Sequence, residues 1–229
     1  MLFRSVIAER QTAGRGQHGR SWQGSPGKSL HFSALLRPAE TPALTATPIR
    51  VGLAVARALT GLLGIDIKLK WPNDVLLNGR KLGGILCEST TGRETFVVVG
   101  IGVNVGQDAA DFDEDIRDRA TSVAMAGLGV SRAAVAGALA GALTNLSARS
   151  ALELSAEELS ELAHVDALLG HDIEIDGTPA GVARGISPLG ALLVEKNGSL
   201  TAISGGTVRA KHHAFSPRLR GNPSDQGLD

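Results

Sequence analysis

The chain has 229 residues, 43% apolar and 20% charged, which fits one globular domain or one with a small partner. Lys plus Arg and Asp plus Glu are 23 each, so bulk basicity gives no argument for nucleic acid. The one cysteine, Cys87, cannot form an internal disulfide, which points to a reducing cytoplasm.

The N-terminal "MLFRSVIAERQ" carries Arg4 and Glu9, which leave no apolar core for a signal peptide. Residues 2–8 read as a short strand, and "KSLHFSALLRP" (28–38) as another, closed by Pro38. Residues 47–64 repeat apolar side chains at spacings of three and four and end in Gly64, a helix with its C-cap. The apolar stretch Pro48 to Ile65 is interrupted by Arg50 and Arg57, and reads as too short and too charged to span a bilayer. Residues 67–89 read as two strands about the hairpin signal Asn78-Gly79. Residues 95–105 form a buried strand with a glycine-rich end. Six acids lie between Asp108 and Asp118 without a repeating ligand spacing, so the segment reads as a solvated loop. Residues 131–150 form a second long helix with Ser131 as N-cap.

The pattern changes after residues 155–163. Residues 170–212 are a series of short segments with turn signals at Asp176-Gly177, Leu189-Gly190 and Asn197-Gly198, the pattern of a small β-barrel. Asn197-Gly198-Ser199 matches a glycosylation sequon but reads as a hairpin turn. These features divide the chain into residues 1–167, a barrel at 168–213, and a tail at 214–229 with the composition of a disordered segment.

Three stretches carry candidate chemistry. In "QTAGRGQHGRSW" (11–22), Gly14, Gly16 and Gly19 have G-x-G-x-x-G spacing. A dinucleotide loop needs a helix at its third glycine, and the following Gly24, Pro26 and Gly27 forbid one. "GSPGKS" (24–29) is too short for a phosphate-binding P-loop, with Trp22 where the first glycine should be. What remains is either a solvated loop or one that approaches an anion closely, with Arg15 and Arg20 as planar donor forks. Trp22 is a core aromatic or a stacking surface for a base.

In "KWPND" (70–74), Pro72 keeps Trp71 extended, and Asn73 and Asp74 offer an amide and a carboxylate. Across the hairpin, Lys81 can lie near Asp74. Gly83 and Gly84 mark a strand that gives up packing where another group comes close. In "GIGVN" (100–104), Asn104 either forms a turn or reads a ring edge. One Trp beside a single Arg-Gly stretch argues against single-stranded RNA binding. His212-His213 reads as inert, and Cys87 as a buried thiol.

"QTAGRGxxGRxW", "KWPND…KLGGIL" and "VVGIGVNV", in this order, resemble biotin protein ligases, over residues 5 to 210. The resemblance implies an α+β chain. Its catalytic domain would be like that of class II aminoacyl-tRNA synthetases, followed by an SH3-like barrel. Biotin and MgATP would give biotinoyl-5′-AMP and pyrophosphate, and a lysine of a biotin carboxyl carrier domain would then take the biotin. Lys81, Arg15, Arg20 and Asp74 would be catalytic. Gln11, Arg15, Gly16, Gln17, Lys81 and Gly84 would hold biotin, with Gln11 on its head group. Arg20, Trp22, Lys70, Asn73, Asp74 and Asn104 would hold the nucleotide, Trp22 and Asn104 at the adenine. Magnesium would come with ATP. Neither membrane nor DNA is expected as a partner, since no helix-turn-helix precedes the catalytic part.

The chain departs from the family pattern at two further places. A Ser-Thr-Asn biotin-contacting segment is expected upstream of the loop, and the chain starts too late to hold it. Gln17 stands where the family has a second loop arginine. Two other readings remain open: a truncated non-catalytic module that binds biotin or nucleotide, and a lipoate-type ligase of the same fold.

Overall fold

The computed structural model describes residues 4–36, 46–90, 96–146 and 153–211. The ends of the four expected elements at 2–8, 28–38, 95–105 and 131–150, His212-His213 and the tail at 214–229 lie outside them.

Strands β1 (Arg4–Ala8) and β2 (Ser29–Leu36) are followed by helix α1 (Ala46–Leu63). Strands β3 (Ile67–Lys70), β4 (Asp74–Leu77), β5 (Arg80–Thr90) and β6 (Phe96–Asn104) come next. The expected two strands at 67–89 are therefore three. Trp71, Pro72 and Asn73 turn the chain, so that β3 and β4 form a hairpin of their own ahead of the Asn78-Gly79 hairpin. All neighbours are antiparallel, in the order β1-β2-β6-β5-β4-β3.

Alternation along β2 sets the two faces of this sheet. Leu30, Phe32, Ala34 and Leu36 are buried in the main core, while Ser29, His31 and Ser33 point to the other face. The core face is covered by α1 and by α3 (Arg132–Leu146), whose Val135, Ala136, Leu139 and Leu143 are buried there. The hydroxyl of Ser131 accepts from the Ala134 amide at 3.2 Å, the expected N-cap. α1 ends at Gly64 (φ 68°), whose amide bonds Thr60 O at 2.9 Å.

By length and composition alone α1 could cross a membrane, contrary to the reading that this stretch is too short and too charged. The helix runs the full 18 residues, and 61% of it is buried inside the protein. Buried Arg50 pairs with Glu158 at 2.8 Å and donates to Glu153 O at 2.5 Å, which ties α1 to the helix at Ala156–Val165.

Between β6 and α3 the acidic segment forms a 3-10 turn (Ala109–Asp111) and a four-residue helix α2 (Glu114–Arg117), with Asp108 and Asp111 closing a capping box. Helix α4 (Ala156–Val165) starts at a Ser155–Glu158 capping box. Strands β7 (Asp172–Ile175), β8 (Thr178–Ile186), β9 (Leu192–Lys196), β10 (Ser199–Ile203) and β11 (Val208–Ala210) form an antiparallel sheet, ordered β10-β9-β8-β7-β11. The residue pairs 176–177 and 197–198 take the left-handed conformation of two-residue hairpin turns, as Asn78-Gly79 does.

A second core joins the sheets. Ala46, Ile49, Leu53 and Trp71 pack with Leu162, Leu168, Ile173, Leu192 and Val208. Trp71 also donates its indole N–H to Gly190 O at 3.0 Å.

Candidate active site

The face of the first sheet turned away from α1 and α3 is the floor of a large cleft. Strand register lines up His31, Gly102, Gly84 and Asp74 across β2, β6, β5 and β4. The two glycines make room for Trp22. A Cβ on Gly102 would lie 2.3 Å from Trp22 Cε2, and one on Gly84 would lie 3.1 Å from Cζ3. The group that comes close at the strand glycines is thus the loop tryptophan. Its indole lies on the glycine floor, half-buried, with Lys81 Nζ 5.7 Å from the ring centroid.

The loop that supplies Trp22 is built, not slack. Trp22 N donates to Gly14 O at 2.9 Å and Gly16 N to Arg20 O at 2.7 Å, closing a narrow hairpin with a 3-10 turn (Gln17–Gly19) at its tip. A Cβ at Gly14 would lie 2.3 Å from Trp22 O and 2.8 Å from the Gln11 amide oxygen. Arg15 forks onto Glu88 of β5 at 2.8 and 2.6 Å. Arg20 reaches the second sheet and donates to the Thr207 hydroxyl at 2.8 Å. Each loop arginine is held by one exposed contact, and exposed contacts of this kind are weak and exchangeable.

At the other end of the floor, Lys81 Nζ lies 2.5 Å from Asp74 Oδ1, the pairing expected across the hairpin. Lys70 Nζ stands 3.8 Å from the second oxygen of Asp74. Burial lowers the Lys70 pKa; Asp74 opposes this, while Lys81, Arg209 and Arg119 add to it. The Lys81 backbone is fixed from both sides, with its N–H on Arg119 O at 2.7 Å and its carbonyl accepting from Thr121 N at 2.9 Å. Asn73 is fixed too, its amide donating to Ile85 O at 3.0 Å. Two lysines facing one carboxylate leave net positive charge beside the cleft, which suits an anion.

Gln11, Arg15, Gly16, Gln17, Arg20 and Trp22 all line the cleft, and so do Lys70, Asn73, Asp74, Lys81, Gly84 and Asn104. Asn104 is more committed than its sequence reading allowed. It is buried, donates to Thr121 O at 3.0 Å and accepts from Gln107 Nε2 at 3.0 Å. Cys87 lies off the cleft floor, and burial pushes its thiol pKa up to about 12, which makes it no nucleophile. Among the described residues, no three His, Cys, Asp or Glu come together as a metal site.

Several cleft residues were not singled out in the sequence: Glu88, His31, Gln107 and Thr207. The alternation in "SLHFSALL" could have placed His31 on the open face. Glu88, Gln107 and Thr207 had no such signal, because only the folded arrangement brings Glu88 and Thr207 to the loop arginines and Gln107 to Asn104 and Ser29.

Residues 4–105 match the biotin/lipoate A/B protein ligase family. The chain is 34% identical over 218 residues to the biotin–[acetyl-CoA-carboxylase] ligase of Mycobacterium tuberculosis, covering 89% of this chain and 77% of that protein. It is 40% identical over 127 residues to the bifunctional ligase/repressor BirA of Bacillus spizizenii, covering 53% of this chain; it spans only 38% of that relative's length. The fold superposes on the biotin protein ligase of Aquifex aeolicus in complex with biotin and ATP. The TM-score is 0.74 at 31% identity, covering 90% of this chain and 89% of the other. The chain therefore belongs to the biotin protein ligases.

Proposed function

We propose that the chain is an ATP-dependent ligase that joins biotin to AMP and passes the biotin to a lysine of a biotin carboxyl carrier domain. The observation that carries this reading is the Lys81–Asp74–Lys70 cluster beside the Trp22-covered glycine floor, with two loop arginines at the cleft. Activating a carboxylate with ATP brings two anions together. Fixed cations offset that repulsion and stabilise the charge that develops at the α-phosphate.

In this reading Lys81 bridges the biotin carboxylate and the α-phosphate. Arg15 and Arg20 exchange Glu88 and Thr207 for the ligand's anionic groups. Gln11, Gly16, Gln17 and Gly84 border the biotin, and Trp22 and Asn104 border the adenine. Lys70 and Asn73 serve the triphosphate. Asp74 orients Lys81 and meets the incoming lysine. Magnesium fits as a companion of the triphosphate, since one carboxylate between two lysines is no cation cage; it neutralises phosphate charge when bound. The hairpin loop shields the mixed anhydride from water.

The same proposal includes a catalytic domain (1–167) of the class II aminoacyl-tRNA synthetase type, supported by an antiparallel sheet with helices on one face. It also includes an SH3-like domain (168–213), supported by the five short antiparallel strands. A lipoate-type ligase is the second reading, because the matching family covers both acyl groups.

The test is transfer. Purified chain, MgATP and labelled biotin are incubated with a carrier domain, and lipoate replaces biotin in a parallel reaction. Biotin-specific labelling of one carrier lysine is the expected result. Labelling with lipoate alone, or ligand binding without transfer, would overturn the reading.

A further inference from the structure

Among the described residues, five buried side-chain polar atoms lack a hydrogen-bond partner, and four of them belong to three neighbouring residues that line the cleft. They are Trp22 Nε1, both ring nitrogens of His31, and Gln107 Oε1. His31 is 3% exposed and Gln107 2%, so solvent does not satisfy them. Buried polar groups in native folds are nearly always paired, and an unpaired one costs about 1–3 kcal/mol. A group of them on a cleft wall points to a ligand.

The four atoms belong to one place. His31 sits directly across the ladder from Gly102. Trp22 Nε1 lies 2.6 Å from where a Cβ of Gly102 would be. His31 Nε2 and Ser29 Oγ each lie 2.8 Å from where a Cβ of Gly24 would be, and Ser29 Oγ accepts from Gln107 Nε2 at 2.6 Å. Gly24 backs so closely onto the His31 ring edge that a Cβ there would lie 2.3 Å from Cε1.

The chemistry of the patch is neutral. Burial, with Arg132 adding to it and Glu9 opposing, lowers the His31 pKa and so favours the uncharged ring. A neutral imidazole offers one donor and one acceptor, the indole one donor and the Gln107 oxygen one acceptor. That mixed set does not suit a phosphate or a carboxylate, whose burial without a cation is costly. It suits an uncharged heterocycle that carries both donors and acceptors.

We propose that His31, with Trp22 Nε1 and Gln107 Oε1, hydrogen-bonds the base of the bound nucleotide and so sets its affinity and specificity. This rests on the ligase reading, in which Trp22 and Asn104 border the adenine; Gln107 is bonded directly to Asn104. The ureido ring of biotin has the same uncharged donor–acceptor chemistry, and the experiment separates the two.

The KM values for ATP and for biotin are measured in biotin-dependent ATP–pyrophosphate exchange for wild type, His31→Phe and His31→Gln. Calorimetric titration with ATP accompanies them, and melting temperatures report folding. In His31→Phe, KM and Kd for ATP are expected to rise about tenfold, the worth of one or two net hydrogen bonds. kcat and KM for biotin stay unchanged, and His31→Gln recovers part of the loss. If the Phe variant does not fold, His31→Gln against wild type carries the test.

Unchanged ATP parameters would mean that the patch holds only ordered water, and would overturn the proposal. A change confined to KM for biotin would also overturn it, in favour of the ureido ring. Wild type without exchange would instead break the ligase reading. The ATP titration then still decides His31: weaker binding in the variant supports it and equal binding contradicts it.

Discussion

On the floor of the cleft, a side chain added at Gly102 would land 2.3 Å from the Trp22 ring, and one at Gly83 would land 2.5 Å from the Gly102 carbonyl. In the loop above, Gly19 has open space around it and is needed for its φ of 72°. The floor is thus fixed by close contact between backbone and ring. The loop is fixed by its own hydrogen bonds and by two exposed arginine contacts. A site that must hold one geometry yet admit a large ligand can divide the work this way, with a rigid floor and exchangeable ties above it.

Lys81→Ala removes the fixed cation of the floor, and kcat for adenylate formation should fall by about 10²–10³, as when a charge-stabilising donor is removed. Single-turnover kinetics on folded protein would read it, and a loss confined to KM would contradict the role. Gly102→Ala should displace Trp22 and weaken ATP binding, seen as a higher Kd with quenched or shifted Trp fluorescence. An unchanged Trp22 signal would show that the floor has slack.

Gln17→Arg should sharpen the loop side. A restored charge-assisted contact is worth about 1.5–3 kcal/mol, so release of the adenylate should slow at least about tenfold. Equal release rates would remove Gln17 from the account.

The Lys70 pKa is lowered chiefly by burial, so its charge is lost at a lower pH than that of an unfolded lysine. The unfolded chain binds that proton more tightly, and this group's contribution to stability therefore improves as pH rises through the interval. Function moves the other way: KM for ATP should climb on the alkaline side, and Lys70→Arg should shift that limb upward. A limb that stays in place would assign it to another group. The smallest effect belongs to Glu88→Gln, which frees Arg15 from an exposed pair worth about 1 kcal/mol or less, with little change in melting temperature.

Much of this site could be read in the sequence because its geometry is local. Asn78-Gly79 fixes a two-residue turn, and the turn pairs Lys81 with Leu76, from where its side chain reaches Asp74 on the same strand. The helix at 47–64 followed from its apolar spacing and Gly64. The third strand was missed because Trp71, Pro72 and Asn73 lack a glycine turn signal, and the Trp71 ring is held by Gly190 of the distant second sheet. Asn104 could be named but not its partners, since Thr121 and Gln107 reach it only in the fold. His31 was hidden because a lone histidine in an apolar strand gains meaning only when its neighbours across the ladder are known.

Biotin-dependent ATP–pyrophosphate exchange by the purified chain is the most direct test of the central claim. Exchange that requires both biotin and ATP, and disappears in folded Lys81→Ala, is the expected result. Folded protein that shows no exchange, or exchange indifferent to biotin, would contradict the account.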